Sequence, residues 1–157
     1  MRIGSGVLVS VLGGCAGGGG VEVPIPSPTG QAATICGALE YPKSFDGLPR
    51  RKVSPPSNLV AAWGEPAIAL RCGVARPSDV RGLIPDVVNI AGLLWAPGGP
   101  WPGEGDQPVT WTLVGRTAYV EVTIPRKYTS HGRPVGEILG GFSAILKDLP
   151  KLPEDTY

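Results

Sequence analysis

Few side chains in this 157-residue chain can carry chemistry: three cysteines, one histidine and four tryptophans stand out. Cys15 lies in "VLGGCAGGGG", where an apolar run meets a glycine tract. Leu12-Gly13-Gly14-Cys15 has the pattern of a bacterial lipobox. Small residues before the cysteine let a signal peptidase approach the backbone, and the thiol takes a diacylglyceryl group before cleavage. The preceding run starts after Arg2 with Ile3 and continues through Val7, Leu8, Val9, Val11 and Leu12. About ten apolar residues is half the roughly 20 needed to span a bilayer, and it suits the core of a secretory signal. Two other readings stand beside this one: a buried strand of a cytosolic protein, and a cleaved signal without lipid. Against the strand, "AGGGG" continues a packed element only at a large entropic cost.

Export changes how Cys36 and Cys72 are read. With Cys15 acylated, two cysteines remain, and an even count in an oxidising compartment favours one disulfide. It would close a loop of about 37 residues, for which chain entropy gives roughly 3.5–4 kcal/mol. Two separate buried thiols are the alternative. A metal site is not expected: no C-x-x-C pair occurs, and the single histidine, His131, lies in the turn-like "TSHGRP".

No G-x-S-x-G elbow, P-loop or H-E-x-x-H is present, so no catalytic residue and no cofactor are assigned. The weak binding candidates are Trp63, Glu65, Arg71, Trp95, Trp101 and Trp111. Trp95, Trp101 and Trp111 surround the loop "GGPWPGEGD" and form either an exposed platform for a sugar ring or headgroup layer, or a set of core-edge indoles on adjacent strands. Glu65 reads as a turn residue that accepts from a backbone N–H or from Arg71. Arg50, Arg51 and Lys52 form a basic cluster that is either solvated or in contact with anionic lipid headgroups. The net charge of +1, with 17% charged residues, lacks the basic excess of a nucleic-acid binder.

The elements that must position these residues follow from periodicity. Ser27-Pro28 opens a helix that sets Ala32, Ile35, Cys36 and Leu39 on one face and ends by Pro42. Residues 42–56 read as a long loop. From 68 onward Ile68, Leu70, Cys72 and Val74 alternate with Ala69, Arg71 and Gly73, as in a strand with one buried face. "DVVNIAGLLWAP" reads as one buried strand with Gly92 near its middle. "VTWTLVGRTAYVEVTIP" reads as a hairpin turning at Gly115-Arg116-Thr117. After Pro134, Val135, Ile138, Leu139, Phe142, Ile145, Leu146 and Leu149 recur at helical spacing until Pro150. The glycines at 140 and 141 point to close approach of that helix to the sheet. The expected fold is α+β: an antiparallel sheet of about four strands, an N-terminal and a C-terminal helix packed on it, and one disulfide. The expected organisation is a signal peptide over 1–14, a lipidated Cys15 with a Gly/Pro-rich tether to 29, one globular domain over 30–150 and a tail over 151–157.

"AAWGEPAIALRCGV", "VNIAGLLW", "GRTAYVEVTIPRKY" and the apolar closing helix ending in "LP" resemble the domain of unknown function 3515 family of actinobacterial lipoproteins. The resemblance runs from about Cys36 to Pro150. It implies an exported, usually membrane-anchored domain whose paired cysteines match Cys36 and Cys72. It implies no activity, so no catalytic or binding residue is carried over. "GGPWPGEGD" is richer in Trp and Pro than the family pattern, which makes any role of that loop local to this member. The expectation is a non-enzymatic envelope module on the outer face of the cytoplasmic membrane, held by lipid on Cys15, with an envelope protein or a wall precursor as partner. The alternatives are an exported hydrolase or transferase acting on envelope material through His131 or Glu65, and a small-ligand carrier with an apolar cavity between helices and sheet.

Overall fold

The structure, a computed structural model, describes residues 19–77, 87–98 and 106–153. Its core is an α+β fold built on one antiparallel sheet of eight strands. In chain order the elements are β1 (Val21–Glu22), α1 (Gly30–Gly37), β2 (Ser44–Phe45), β3 (Leu48–Arg51), β4 (Val53–Ser54), β5 (Val60–Trp63), β6 (Ile68–Cys72), β7 (Val88–Ile90), β8 (Leu93–Gly98), β9 (Val109–Val114), β10 (Val120–Ile124), α2 (Val135–Gly141) and α3 (Ser143–Leu146). The sheet runs β2-β3-β5-β6-β10-β9-β8-β7, and β1 pairs separately with β4 in parallel. The expected four strands become eight for reasons that lie in particular segments.

Alternation is clean where one face of a strand is buried. In β6, Ile68, Leu70 and Cys72 are buried while Ala69 and Arg71 are only half-buried; β10 repeats the pattern with Val120, Val122 and Ile124 inward. β5 breaks it: Val60, Ala61, Ala62 and Trp63 are all buried. Ala61 and Trp63 face the main core, while Val60 and Ala62 pack under Val23 on the other side. A strand covered on both faces reads as a plain apolar run, which periodicity alone does not assign.

The presumed strand over 86–97 is a hairpin, β7 and β8, turning on Ala91 and Gly92. Both residues have positive φ (51° and 79°), as a two-residue primed turn requires, and Asn89 Oδ1 accepts from Gly92 N at 3.1 Å. The presumed loop over 42–56 holds β2, β3 and β4. Its first turn, at Asp46-Gly47, also has positive φ at both positions (53° and 73°). The hairpin expected from Val109 to Ile124 is present as β9 and β10, with Val120 opposite Leu113.

Helix α1 starts at Gly30, with Thr29 as its N-cap residue, rather than at Ser27-Pro28. Its predicted face is the one that packs inward: Cys36 is fully buried, and Ala32, Ile35 and Leu39 lie against the core. The closing helix is two short helices, α2 and α3, broken at Phe142. Phe142 is fully buried and stacks on Phe45 with ring centroids 4.0 Å apart. A Cβ on Gly141 would stand 3.1 Å from the Phe45 ring, and one on Gly140 would stand 3.8 Å from Ile90. Gly141 thus lets α2 seat closely on β2, while the contact of Gly140 with Ile90 in β7 is one a Cβ would also make; β2 and β7 are the two end strands of the sheet.

Cys36 and Cys72 form a disulfide with Cα atoms 5.5 Å apart. It ties the last turn of α1 to the end of β6, and both cysteines are fully buried. Arg116, in the β9–β10 turn, is 6% exposed and donates from Nη1 to the carbonyls of Leu149 (2.7 Å) and Lys147 (3.2 Å). It satisfies carbonyls just past α3, where a cation is favoured.

The expected tether over 15–29 is not free along its described part. Val21 N donates to Lys52 O at 2.8 Å, Val23 is 3% exposed against Val60 and Ala62, and Pro24 O accepts from Arg71 Nε at 2.8 Å. The signal segment, Cys15 and the end of the tail from 154 lie outside the described residues.

Candidate functional site

The strands decide which polar groups meet. Arg71 alternates outward from β6 and Glu121 outward from β10, and the ladder sets them directly opposite each other. Arg71 Nη1 donates to Glu121 Oε1 at 2.7 Å, and both side chains are about one-quarter exposed (26% and 23%). The pair forms one wall of a surface cleft of about 670 Å³. Ser27, Thr29, Thr117 and Tyr119 bring hydroxyl groups to the same cleft, and Pro26 and Pro28 bring apolar rings. Gly73 closes it tightly: φ is 89°, and a Cβ there would come 2.6 Å from the Pro28 ring. The ion pair neutralises itself but retains guanidinium donors and a carboxylate lone pair for a polar ligand. Its hydroxyl and charged lining makes it more polar than the grooves beside α2 and beside β3 and β4. Sequence reading singles out Arg71 but not Glu121 or Tyr119; the signal was the outward position of Glu121 in β10, and its partner lies 50 residues away.

Glu65 does not meet Arg71. It pairs with Arg51, and Arg51 Nη1 also donates to Gly64 O at 3.0 Å. Lys127 Nζ donates to Glu65 O at 2.8 Å and Tyr128 OH to Pro66 O at 2.7 Å, so the Trp63–Pro66 turn is held from three sides. Burial raises the Tyr128 hydroxyl above the usual phenol range. Trp63 and Trp95 are fully buried and Trp111 is 5% exposed. Trp63 Nε1 donates to Pro42 O at 3.1 Å. Trp95 stands opposite Leu113 and Trp111 opposite Pro97, so the two indoles occupy adjacent strands two positions out of register. All three belong to the core and present no platform to a ligand. Trp101 lies outside the described residues.

A second groove, of about 720 Å³, runs between α2 and the segment from Ala38 to Asp46. Its walls are apolar (Leu39, Phe45, Ile138, Ile145) and its rim is acidic (Asp46, Glu137). Arg133 binds Asp46 through two hydrogen bonds, 2.6 and 3.0 Å, and reaches Glu137 at 3.5 Å. The Asp46 contact holds the guanidinium further above its ordinary range. Burial pushes the Tyr41 phenol up to about 12, and its hydroxyl has no partner among the described residues. A third groove, of about 490 Å³, is lined by Arg50, Arg51, Lys52, Val53, Pro56 and Ser57.

His131 is exposed, and its Nδ1 lies 3.1 Å from the hydroxyl of the adjacent Ser130. Among the described residues no carboxylate orients that ring, and no three His, Cys, Asp or Glu side chains cluster as metal ligands. The described geometry thus offers hydrogen-bonding surface at the Arg71–Glu121 cleft and no positioned nucleophile with its base.

No curated protein and no solved structure matches this chain. Residues 19–151 match the family described as protein of unknown function (DUF3515), a span that takes in every strand and helix above, and the chain belongs to that family.

Proposed function

We propose that the mature chain is a lipid-anchored, extracytoplasmic domain that serves as a non-enzymatic binding or structural module of the cell envelope. The observation that supports it most is the Cys36–Cys72 disulfide in a chain whose leader carries Leu-Gly-Gly-Cys. Disulfides persist in oxidising compartments, and two acyl chains anchor a protein stably where one binds only marginally. The partner is an envelope protein or a wall precursor, and the Arg71–Glu121 cleft is where the described surface best suits a polar ligand. Among the described residues no helix is long and apolar enough to cross a membrane; in this reading attachment comes from the lipid on Cys15.

Mass measurement of the chain recovered from a bacterial host tests the reading. The expected species starts at an acylated Cys15, partitions with membranes and gains two hydrogens on reduction. Cys15→Ala should leave the leader uncleaved and unacylated. A full-length chain in the soluble extract, with its thiols free, refutes the proposal.

A further inference from the structure

We infer that the edge of the domain bearing Arg50 and Lys52 rests on anionic lipid headgroups; this deepens the anchored reading and depends on it. The first observation is where the chain enters the fold. Gly20 is pressed on the backbone of β4: a Cβ there would stand 3.1 Å from both Lys52 O and Val53 C. Val21 N then bonds to Lys52 O at 2.8 Å, and β1 runs beside β4. Residue 20 is thus pinned next to residue 52. From Cys15 to Gly20 the chain spans at most about 18 Å when fully extended. The 14-residue tether read from sequence would reach about 45 Å and leave the domain free to turn over. With Val21–Pro24 docked, a lipid on Cys15 keeps Lys52 within about two Debye lengths of the headgroups.

The second observation is charge. Arg50 and Lys52 are both exposed beside this entry point. Arg50 is steadied by its bond to Tyr41 O at 3.1 Å and by the Tyr41 ring 5.3 Å beneath it. Arg51 is neutralised by Glu65. Glu22, opposite Ser54 in the β1–β4 pair, offsets part of the remaining charge. The Lys52 ammonium forms no side-chain hydrogen bond or ion pair among the described residues, which leaves it for a phosphate. Lys52 and Arg50 add headgroup attraction to a position that the short tether already imposes, each by about fivefold in population (about 1 kcal/mol).

The test uses the full chain from a total detergent extract, mixed with vesicles of pure phosphatidylcholine or with one-third phosphatidylglycerol. A dye on Ser54→Cys, next to the entry point, is compared with one on Thr110→Cys, on the outward side of β9. Headgroup-level quencher lipid reports proximity, and flotation reports attachment. The expected result is stronger quenching at 54 than at 110 on anionic vesicles, reduced about fivefold by Lys52→Gln and further by Arg50→Gln. Equal quenching at the two positions, or quenching at 54 that ignores both phosphatidylglycerol and the substitutions, overturns the inference while flotation upholds the anchor. Flotation with anionic vesicles alone, reversed by salt, upholds the charged edge and overturns the anchor. A chain that floats with neither vesicle overturns both.

Discussion

Removing the disulfide should be among the costliest single changes in this domain. The bond joins cysteines 36 residues apart, and both are fully buried. Without it the unfolded chain regains the freedom of a loop of about 37 residues, worth about 3.8 kcal/mol. Cutting each sulfur back to a methyl group loses about 1 kcal/mol more of packing. Cys36→Ala and Cys72→Ala should therefore each destabilise by about 5 kcal/mol, and the double variant by only about 6 kcal/mol. The singles are not additive, because either one already opens the loop, and the coupling of about 4 kcal/mol isolates the constraint itself. Stabilities of ordinary domains are about 5–15 kcal/mol, so α1 would be held to β6 by little beyond Ala32, Ile35 and Leu39. Urea unfolding followed by tryptophan fluorescence measures all three variants, with buried Trp63 and Trp95 as reporters. Additive losses near 1 kcal/mol per cysteine would refute the reasoning, since they would mean that the bond restrains nothing.

Two further substitutions test the packing. The Tyr41 phenol is raised from 10.0 to about 12, so the unfolded chain loses its proton first as the pH climbs. Stability from this group is intact below pH 10 and falls by about 2 kcal/mol toward pH 12. Tyr41→Phe should flatten that decline and, because the hydroxyl lacks a partner among the described residues, cost little at pH 7; chemical denaturation across pH 8–12 checks both. Arg116→Met should cost about 2–4 kcal/mol by freeing the carbonyls of Lys147 and Leu149, and hydrogen exchange should show the Lys147 and Leu149 amides losing protection before those of β9 and β10.

How much was legible depends on how each segment is covered. β6 and β10 present one buried face, and their alternation reads directly from Ile68-Leu70-Cys72 and Val120-Val122-Ile124. α1 shows its inward face for the same reason at helical spacing. β5 was hidden because Val23 covers its second face, which erases the alternation. β2, β3 and β4 were hidden because they are two to four residues long and lie among prolines and basic residues. Gly92 alone reads as a strand glycine, because Ala91, at φ 51°, carries no turn signal in its residue type. At the candidate site, Arg71 was visible as an outward charge in a strand, but its expected partner, Glu65, belongs to Arg51.

By itself the sequence determined the local choices: α+β class, the inward faces of α1, β6 and β10, and which two cysteines remain to pair once Cys15 is set apart. These depend on period and composition within a few turns of chain, where side-chain direction follows from the backbone. Only the tertiary structure decided that eight strands join one sheet, that Glu121 faces Arg71, that α2 packs on Phe45 of β2 and Ile90 of β7, and that residues 21–24 dock instead of trailing free. Each of these joins segments tens of residues apart, and the energy that selects them is burial against a partner surface, which no local stretch of sequence contains.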